Sequence, residues 1–254
     1  MEDLRTQMNS LAEESEQEES TVPWNVREGI LDAGRWAAMR SEKHELALEL
    51  NAEVAALTDA RGATELELAR TRFNDYGPLL RLKRYEDAGK LLFYCKEVFE
   101  KERSIEGLGM VFSALAHLMD NLGRTEQAIS FEETALRYSY LFGEPESISI
   151  SHYNLANYLG RAGSQSALDH GLAAATILFQ VGSGLLASSL NGLARDLYKF
   201  GSESLPESFD QLCQQLEQVE GVRFRELWQR LPKRAEDGDA LLKEIIEMAR
   251  GVKQ

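Results

Sequence analysis

The sequence repeats itself at intervals of about 40 residues. Three segments contain a Leu-Ala pair, six further residues and then a glycine, and they are Ser113–Gly123, Tyr153–Gly163 and Asn191–Gly201. The first Leu-Ala pair precedes the second by 40 residues, and the second precedes the third by 38. A fourth, degenerate copy lies 40 residues before the first, at Asp75–Ala88. A period of this length is typical of a stacked array of structural units.

Within each unit, apolar residues recur every three or four positions, as in residues 45–60, 87–100 and 126–142. This spacing predicts helices, and no stretch alternates with a period of two for long enough to predict a strand. The breaks between the helices are short, and several contain a glycine that predicts a left-handed helix end. We therefore predict an all-α fold in which each unit is an antiparallel helix pair that buries its apolar faces against its neighbours.

The segment FSALAHLMDNLGRTEQAISFEETAL (residues 112–136) resembles the tetratricopeptide repeat, abbreviated TPR. Its period exceeds the usual value of about 34 residues and is similar to that of the longer repeats in large bacterial regulatory proteins. The resemblance covers residues 26–201 and implies a right-handed superhelix whose concave side is lined by the first helix of each pair. NDYGPLLRLKRYEDA and SHYNLANYLGRAG are also similar to stretches of multidomain bacterial repeat proteins, some of which carry a caspase-like protease domain elsewhere.

Three regions follow from these patterns. Residues 1–21 contain seven acidic residues and one basic residue, with so little apolar surface that we predict a frayed helix or a disordered tail. Residues 22–201 form the predicted array of four to five helix pairs. Its first pair spans residues 26–40 and 42–62, with Gly34 and Trp36 at the predicted close crossing.

Residues 202–254 form a predicted cap of helices, because the last repeat would otherwise expose apolar surface. One predicted cap helix covers residues 206–218, with Pro206 at its first position and Ser204 as its N-cap. A second covers residues 221–232, and its aromatic and apolar side chains suggest self-association if they are exposed. These side chains are Phe224, Leu227 and Trp228.

Composition narrows the classes of function. The formal net charge is −14, which disfavours binding to nucleic acid because phosphates require a basic surface. The sequence contains no apolar run long enough to cross a membrane, and its acidic start does not resemble a signal peptide. Cys95 and Cys213 are far apart and form no disulfide framework. We therefore predict a cytoplasmic protein that binds neither nucleic acid nor membranes.

The sequence contains no motif that points to catalysis, a metal or a cofactor. HExxH, CxxC and EF-hand patterns are absent from it. The four histidines fall on four predicted helices. His117 and His152 could approach each other across adjacent repeats, but we interpret all four as helix-face residues with hydrogen-bonded partners. Both cysteines are interpreted as small core residues. We predict a chain that is not an enzyme and that holds no cofactor or metal.

The predicted concave side carries a recurrent set of polar residues. Counting from the leucine of each Leu-Ala pair, residues two before, two after, and five or six after should face inward. Asparagine can hold an extended peptide backbone, Arg and Lys can pair with its carboxylates, and Tyr adds an amphipathic contact surface. With two residues from the degenerate copy, the candidate binding residues are Phe73, Arg81, Ser113, His117, Asp120, Asn121, Tyr153, Asn157, Arg161, Asn191, Arg195, Tyr198 and Lys199.

The predicted function is a non-enzymatic module that binds a protein or an acidic peptide segment in this groove. The arrangement is similar to the carboxylate clamp of some peptide-binding TPR domains, although the residue types match loosely. An alternative is a hydrated groove without a specific ligand. Another is a sensor that changes its superhelical pitch on binding a peptide or small molecule, together with an effector such as a caspase-like protease. Self-association is a further hypothesis.

Overall fold

The computed structural model describes residues 22–232 and 236–252, and the predicted acidic tail, residues 1–21, lies outside the described residues. Within those two ranges the regular structure is helical and contains no strand, which confirms the all-α prediction. The helices are α1 Trp24–Arg40, α2 His44–Ala60, α3 Glu65–Phe73, α4 Tyr76–Arg81, α5 Tyr85–Lys101, α6 Ile105–Asn121, α7 Thr125–Phe142, α8 Pro145–Ala162, α9 Ser166–Val181, α10 Leu186–Phe200, α11 Phe209–Glu217, α12 Phe224–Arg230 and α13 Gly238–Gly251. A short 3-10 turn, Ser202–Ser204, follows α10. None of the described helices is both long and apolar enough to span a membrane.

The chain forms two compact units, and the boundary between them falls between Leu91 and Leu92. In the first unit, α1 and α2 form a helix pair around a small apolar cluster. A Cβ atom added to Gly34 would lie 3.4 Å from Leu50 Cδ1, so the predicted close crossing at Gly34 is confirmed. The cluster consists of Leu31, Ala38, Ala47, Leu50 and Val54.

The prediction that Trp36 lies at this crossing is wrong. Its side chain is 58% exposed, whereas its neighbour Arg35 is buried. The buried face of α1 runs through Leu31, Arg35 and Ala38, so position 36 points away from α2. The Arg35 guanidinium lies 5.0 Å from the centre of the Trp36 ring, which leaves the indole at the surface beside a cation.

The degenerate repeat of the first unit has a broken first helix. Pro78 lacks an N–H group and cannot continue an unbroken hydrogen-bond ladder through Asn74, so the helix divides into α3 and α4. The buried side chain of Asn51, which comes from α2, stabilises the break. Its Nδ2 donates to the carbonyl oxygen of Thr71 at 3.0 Å and to Asp75 Oδ1 at 2.8 Å.

In the second unit, α6 pairs with α7 and α8 pairs with α9, as the 40-residue period predicts. The small residues in the repeat motif allow the two helices of a pair to approach closely. A Cβ atom added to Gly171 in α9 would lie 3.9 Å from the Cβ of Ala156 in α8. All six residues of the Leu-Ala pairs are buried, and they are Leu115, Ala116, Leu155, Ala156, Leu193 and Ala194.

The turns between the helices of each pair use the predicted left-handed glycines. Gly123 and Gly163 have φ values of 71° and 81°, and the space where a Cβ would sit is empty at both. The N–H of Arg124 then donates to the carbonyl of Met119 at 2.9 Å and closes the end of α6. Arg103 adopts the same left-handed backbone conformation, with a φ of 52°, although it is not a glycine.

The C-terminal helices α11, α12 and α13 share one apolar core with the repeats, as a cap should. The predicted start of α11 is wrong: Ser208, rather than Ser204, accepts a hydrogen bond from the N–H of Gln211 at 3.1 Å, and the helix begins at Phe209. Phe224 and Leu227 are buried in the shared core. Trp228, the third side chain in that prediction, is half-buried against the same core. The three side chains therefore do not form the exposed surface that the self-association hypothesis required.

Candidate functional site

The first helices of three successive repeats, α6, α8 and α10, lie side by side in the second unit. The guanidinium of Arg161 forms an ion pair with Asp120 at 2.8 Å, which links α8 to α6. Arg195 Nη2 donates to Asn157 Oδ1 at 2.8 Å, and Lys199 Nζ donates to the carbonyl oxygen of Gly160. These bonds connect α10 to α8, so the predicted residues form one continuous row across three helices.

Aromatic rings extend the contact between α6 and α8. The ring of His117 lies edge-on to Tyr158 with ring centres 6.4 Å apart, and the Arg161 guanidinium lies 5.3 Å from the centre of the Tyr158 ring. His152, by contrast, lies in the interior. His152 is fully buried and bonds to a histidine of α9.

Two glycines and a buried carboxylate lie where α8 and α10 pack together. A Cβ atom on Gly192 would lie 3.3 Å from Tyr153 Cε2, so the tyrosine ring covers the position that this glycine leaves open. Asp196 is buried against Gly160, where an added Cβ would lie 2.8 Å from Asp196 Oδ1. Burial raises the pKa of Asp196, and the hydrogen bond from Arg195 partly opposes this rise. The Oδ2 atom of Asp196 has no hydrogen-bond partner among the described residues.

We call the exposed side of α6, α8 and α10 the inter-repeat face. Tyr198 is 83% exposed on it, and the side chains of Arg161 and Arg195 are 54% and 58% exposed. Arg161 pairs with Asp120 and Arg195 with the buried Asp196, so with Lys199 the centre of the face has three cations against two carboxylates and is more basic than the chain as a whole. The residues on this face are His117, Asp120, Asn121, Tyr153, Asn157, Arg161, Asn191, Arg195, Tyr198 and Lys199.

Two predicted binding residues turn away from the face, one buried and one half-buried. Phe73 is buried with its ring 4.9 Å from that of Tyr76, so it offers no surface to a ligand. Ser113 is half-buried, and its hydroxyl donates to Glu132 Oε2 at 3.1 Å. Arg81 is exposed at the end of α4, but it belongs to the first unit, and the inter-repeat face is built from the second unit alone.

Two of the three asparagines on the face already have partners within the protein. Asn157 Nδ2 donates to the carbonyl of Tyr153 at 3.0 Å, and Asn121 Nδ2 donates to the carbonyl of His117 at 2.8 Å. Each of these amides therefore caps a carbonyl of its own helix. A ligand that bonds to them must exchange those contacts for its own.

A second group of polar residues lies beneath the face, and we call it the inner polar cluster. It consists of Ser113, Glu132, Ser151 and Asn154. Asn154 Nδ2 donates to Ser113 Oγ at 3.2 Å and to Glu132 Oε1 at 3.4 Å. Burial raises the pKa of Glu132 to about 8, although hydrogen bonds from Ser113, Asn154 and Ser151 oppose the rise.

A buried hydrogen-bond chain adjoins this cluster. The hydroxyl of Tyr140 lies 2.9 Å from His152 Nε2, and His152 Nδ1 lies 2.8 Å from His170 Nδ1. The chain is satisfied when Tyr140 donates to His152 and the Nδ1–H of His152 donates to His170. Burial lowers the pKa of His170 to about 4 and holds the pKa of His152 well below its ordinary value.

Neither cysteine has the surroundings of a reactive thiol. Cys95 and Cys213 are both fully buried, as the sequence predicts, and burial raises the pKa of Cys213 to about 11. Nucleophilic cysteines have a lowered pKa and some exposure. In the described ranges no three or more His, Cys, Asp or Glu side chains lie close enough together to hold a metal ion.

Comparison with solved structures identifies the architecture. A structure from Podosopora anserina, described as kinesin light chain nearly identical TPR-like repeats, matches 85% of this chain and 100% of its own, with a TM-score of 0.55 and 16% identity. This chain has a TPR-like fold. BtubC (BKLC) from P. vanneervenii matches 91% of each chain at 18% identity, with a TM-score of 0.41 that lies below the level of a shared fold. No protein-family model matches the sequence, and no curated protein matches it.

Sequence reasoning found the TPR-like face but not the groups beneath it. Asn154 and Glu132 stand 22 residues apart on different helices, and neither belongs to the Leu-Ala motif. A polar residue at a position that should be apolar is the available signal, since Asn154 directly precedes the buried Leu155. Asp196 shows the same signal. This charged residue follows Arg195 and lies on the buried side of α10, where an apolar residue is expected.

Proposed function

We propose that this chain is a non-enzymatic protein-interaction module that binds an acidic segment of a partner protein on the inter-repeat face. The continuous row of Arg161, Arg195 and Lys199 across α8 and α10 carries the proposal. In a chain of net charge −14, this row is a local excess of cations beside exposed tyrosine surface. Arginine pairs well with carboxylates because its fork of N–H groups can donate two parallel hydrogen bonds.

The geometry of the face favours an extended ligand. The bonded rows of α6, α8 and α10 run across the helices, so a chain lying along them meets one repeat after another. Asn157 and Asn121 provide amide groups that can bond to a peptide backbone. Tyr198, which is largely exposed, provides an apolar surface with a polar end at the edge of the row.

The proposal also requires that a ligand replace existing bonds. A carboxylate of the partner would compete with Asp120 for Arg161, and such exposed ion pairs are worth on the order of 0.5 kcal/mol. The exchange therefore has a small cost. The TPR-like fold supports an interaction module as the general class, and a cytoplasmic location stays a prediction from the composition.

Binding to an array of immobilised acidic peptides tests this proposal. The matched array carries the same peptides with Gln and Asn in place of Glu and Asp. We expect wild type to bind members of the acidic array, and Arg161→Glu with Arg195→Glu to reduce their affinity by at least about tenfold. Arg230→Glu with Arg250→Glu changes the net charge equally away from the face and should leave the affinity within about twofold.

Two results would overturn the acidic-segment proposal. One is equal binding of wild type to the acidic and the neutral arrays. The other is an equal loss of affinity in both double variants, because the effect would then come from net charge. Circular dichroism and thermal unfolding of each variant would show that the helices are intact.

A second candidate function is a sensor, and the bonds between helices favour it. Asp120 and Arg161 connect neighbouring repeats, so a ligand that separates them changes how α6 and α8 are held together. A ligand shifts a conformational equilibrium only when it binds one form better than the other. Small-angle scattering with and without a bound acidic peptide would show a change in radius of gyration for a sensor and none for a rigid scaffold. A caspase-like protease as the effector rests only on the sequence resemblance.

A further inference from the structure

Asp196 is a carboxylate that the fold buries with incomplete compensation. It lies in the interior of α10, and only 2% of its surface is exposed. Its Oδ2 atom has no hydrogen-bond partner among the described residues, and burial of a polar atom without a partner costs free energy. Gly160 of α8 makes room for the group, because a Cβ atom there would lie 2.8 Å from Asp196 Oδ1. An apolar residue would avoid this cost, so the carboxylate needs another explanation.

The bond that Asp196 does make leads to the inter-repeat face. In the described ranges the one donor that reaches its side chain is Arg195 Nε, at 3.3 Å from Oδ1. Adjacent residues of a helix do not face each other. The Arg195 side chain must therefore fold back along α10 to reach this buried oxygen, although it remains 58% exposed. Asp196 thus holds, from beneath, a cation that is open to solvent.

Asn157 holds the same guanidinium from the neighbouring helix. Asn157 Nδ2 donates to the carbonyl oxygen of Tyr153 at 3.0 Å, and this bond fixes the orientation of the amide. Asn157 Oδ1 then accepts a hydrogen bond from Arg195 Nη2 at 2.8 Å. Because Nε and Nη2 share one edge of the planar guanidinium, Asp196 and Asn157 occupy that edge together, from α10 and α8.

The other edge of the Arg195 guanidinium, formed by Nη1 and Nη2, is left for a ligand. The bonds to Asp196 and Asn157 use Nε and one N–H of Nη2. Within the described part of the chain Nη1 has no hydrogen-bond partner. An N–H of Nη1 and the second N–H of Nη2 are parallel donors that match the two oxygens of one carboxylate. Arg195 therefore presents an oriented pair of donors at the surface.

We propose that Arg195 receives a side-chain carboxylate of the partner on the inter-repeat face, and that Asp196 is the residue that positions Arg195 for it. This inference rests on the proposed function, because it names the group that recognises the acidic segment. A donor pair that is already oriented loses less conformational freedom on binding than a side chain that must first be ordered. The bond to Arg195 also explains why a carboxylate is buried at position 196.

The other two cations of the face lack this arrangement. Arg161 donates through Nη2 to Asp120, so a ligand carboxylate has to compete with Asp120 for that nitrogen. Lys199 donates to the carbonyl oxygen of Gly160, and its ammonium group has no planar pair of donors. Arg195 should therefore contribute more to carboxylate recognition than either of them.

Charge-conserving substitutions test the role of Arg195. The probe is a fluorescein-labelled octaglutamate peptide with an amidated C-terminus, and fluorescence anisotropy measures its dissociation constant. We expect Arg195→Lys to raise this constant at least about tenfold, because lysine keeps the charge but lacks the paired donors. Arg161→Lys is the matched control and should raise it by less than about threefold. Equal effects of the two substitutions would overturn the assignment of Arg195, even if acidic peptides bind as proposed.

Substitutions of Asp196 test the positioning role through the sign of their effect. Asparagine keeps an acceptor oxygen for Arg195 Nε, whereas alanine has none. We expect Asp196→Ala to raise the dissociation constant about tenfold, and Asp196→Asn to leave it within about threefold of wild type or to lower it. Loss of a negative charge alone would make both variants bind the probe more tightly. Tighter binding by Asp196→Ala, or equal weakening in both variants, would contradict the proposal.

A second probe distinguishes a side-chain carboxylate from the end of a partner chain. Octaglutamine with a free C-terminus carries a carboxylate only at its end. We expect it to bind wild type at least about tenfold more weakly than the amidated octaglutamate. Equal affinity for the two probes would assign Arg195 to a terminal carboxylate and overturn the side-chain source.

A measurement without ligand separates this inference from the proposed function. A hydrogen bond slows exchange of the Arg195 Nε–H with water, so its NMR signal should be visible in wild type and in Asp196→Asn and be lost in Asp196→Ala. Arg195→Lys identifies the signal by removing it, and circular dichroism checks that every variant keeps its helices. An octaglutamate that fails to bind wild type would contradict the proposed function. A signal that is the same in wild type and Asp196→Ala would contradict the positioning by Asp196, whether or not the peptide binds.

Discussion

The inner polar cluster joins α6, α7 and α8, whereas the inter-repeat face joins α6, α8 and α10. Both use similar polar residues, yet the surroundings of those residues differ. Asn154 and Asn157 stand three residues apart on α8. The first donates to Glu132 and Ser113 inside the second unit, and the second accepts from Arg195 at the surface. A buried polar group that loses its partner leaves that partner unsatisfied, whereas an exposed one bonds to water instead. The cluster should therefore determine stability, and the face is free to serve binding.

The largest expected effect is on the inner cluster. Asn154→Leu removes the donor to Glu132 Oε1 and should lower the free energy of unfolding by about 3 kcal/mol. Asn157→Leu, the matched change on the face, should alter it by less than about 0.5 kcal/mol. Urea denaturation followed by circular dichroism measures both values. Equal losses of unfolding free energy in the two variants would show that the face contributes as much to stability as the inner polar cluster.

The next effect is a pH dependence that comes from Glu132. Its pKa is raised from 4.5 to about 8 in the folded protein, so the folded state holds a proton that the unfolded state releases. Stability is thus highest at low pH for this group and is lost as the pH rises through 8. From pH 6.5 to 8 the contribution of Glu132 to the free energy of unfolding should fall by about 1.5 kcal/mol.

The histidines change stability in the opposite direction and in a different pH range. His152 and His170 have a lowered pKa, so they favour folding above their ordinary value of 6.5 and lose this contribution only as the pH falls below it. The range from pH 6.5 to 8 therefore reports on Glu132. Glu132→Gln should flatten the unfolding free energy over this range, and a slope that persists in the variant would count against the assignment.

A smaller effect is expected at Gly160, where α8 packs against α10 beneath the inter-repeat face. A Cβ atom there would lie 2.8 Å from Asp196 Oδ1, so Gly160→Ala must displace a buried carboxylate and should cost about 1.5 kcal/mol. The same substitution at Gly29, where nothing lies within 4 Å, should stabilise the chain by about 0.5 kcal/mol through helix propensity. Thermal unfolding of both variants checks the opposite signs. A stabilising Gly160→Ala would show that α8 and α10 are less tightly packed than described.

The smallest effect is expected for the ion pair on the face. A double-mutant cycle on Asp120 and Arg161 should give a coupling energy of about 0.5 kcal/mol, which decreases with added salt. The cycle on Ser113 and Glu132 in the inner cluster should give at least about 1 kcal/mol, with little salt dependence. Urea denaturation at low and high salt measures both coupling energies. A surface coupling that is stronger than the buried one and independent of salt would contradict the proposed difference between the face and the inner polar cluster.

Much of the fold could be predicted because the repeat pattern is local. The Leu-Ala pairs and the turn glycines each act within one helix pair, and the structure has the pairs buried and the glycines left-handed as expected. The failures arise where a position depends on more distant packing. Trp36 is exposed because the neighbouring face of α1 packs on α2, and Phe73 is buried although its counterpart in the last repeat, Asn191, is exposed.

Most of the candidate face could also be predicted, since residues spaced by three or four positions share a side of a helix. The partners of those residues could not. Asp120 with Arg161, and Asn157 with Arg195, stand about 40 residues apart, and their contact depends on how far one repeat is shifted against the next. Periodicity gives the side of a helix on which a residue lies, but not its height relative to the neighbouring helix.

The sequence by itself determined the all-α class, the helix pairs, their turns and the polar side of three helices, because these depend on spacing within about 20 residues. Only the tertiary structure decided which polar residues are buried together, as in the pairing of Glu132 with Asn154 and of His152 with His170. The reason is that burial of a polar group is tolerated only when a partner from another helix meets it at hydrogen-bond distance. That meeting is a property of the packed helices and cannot be read along a single one.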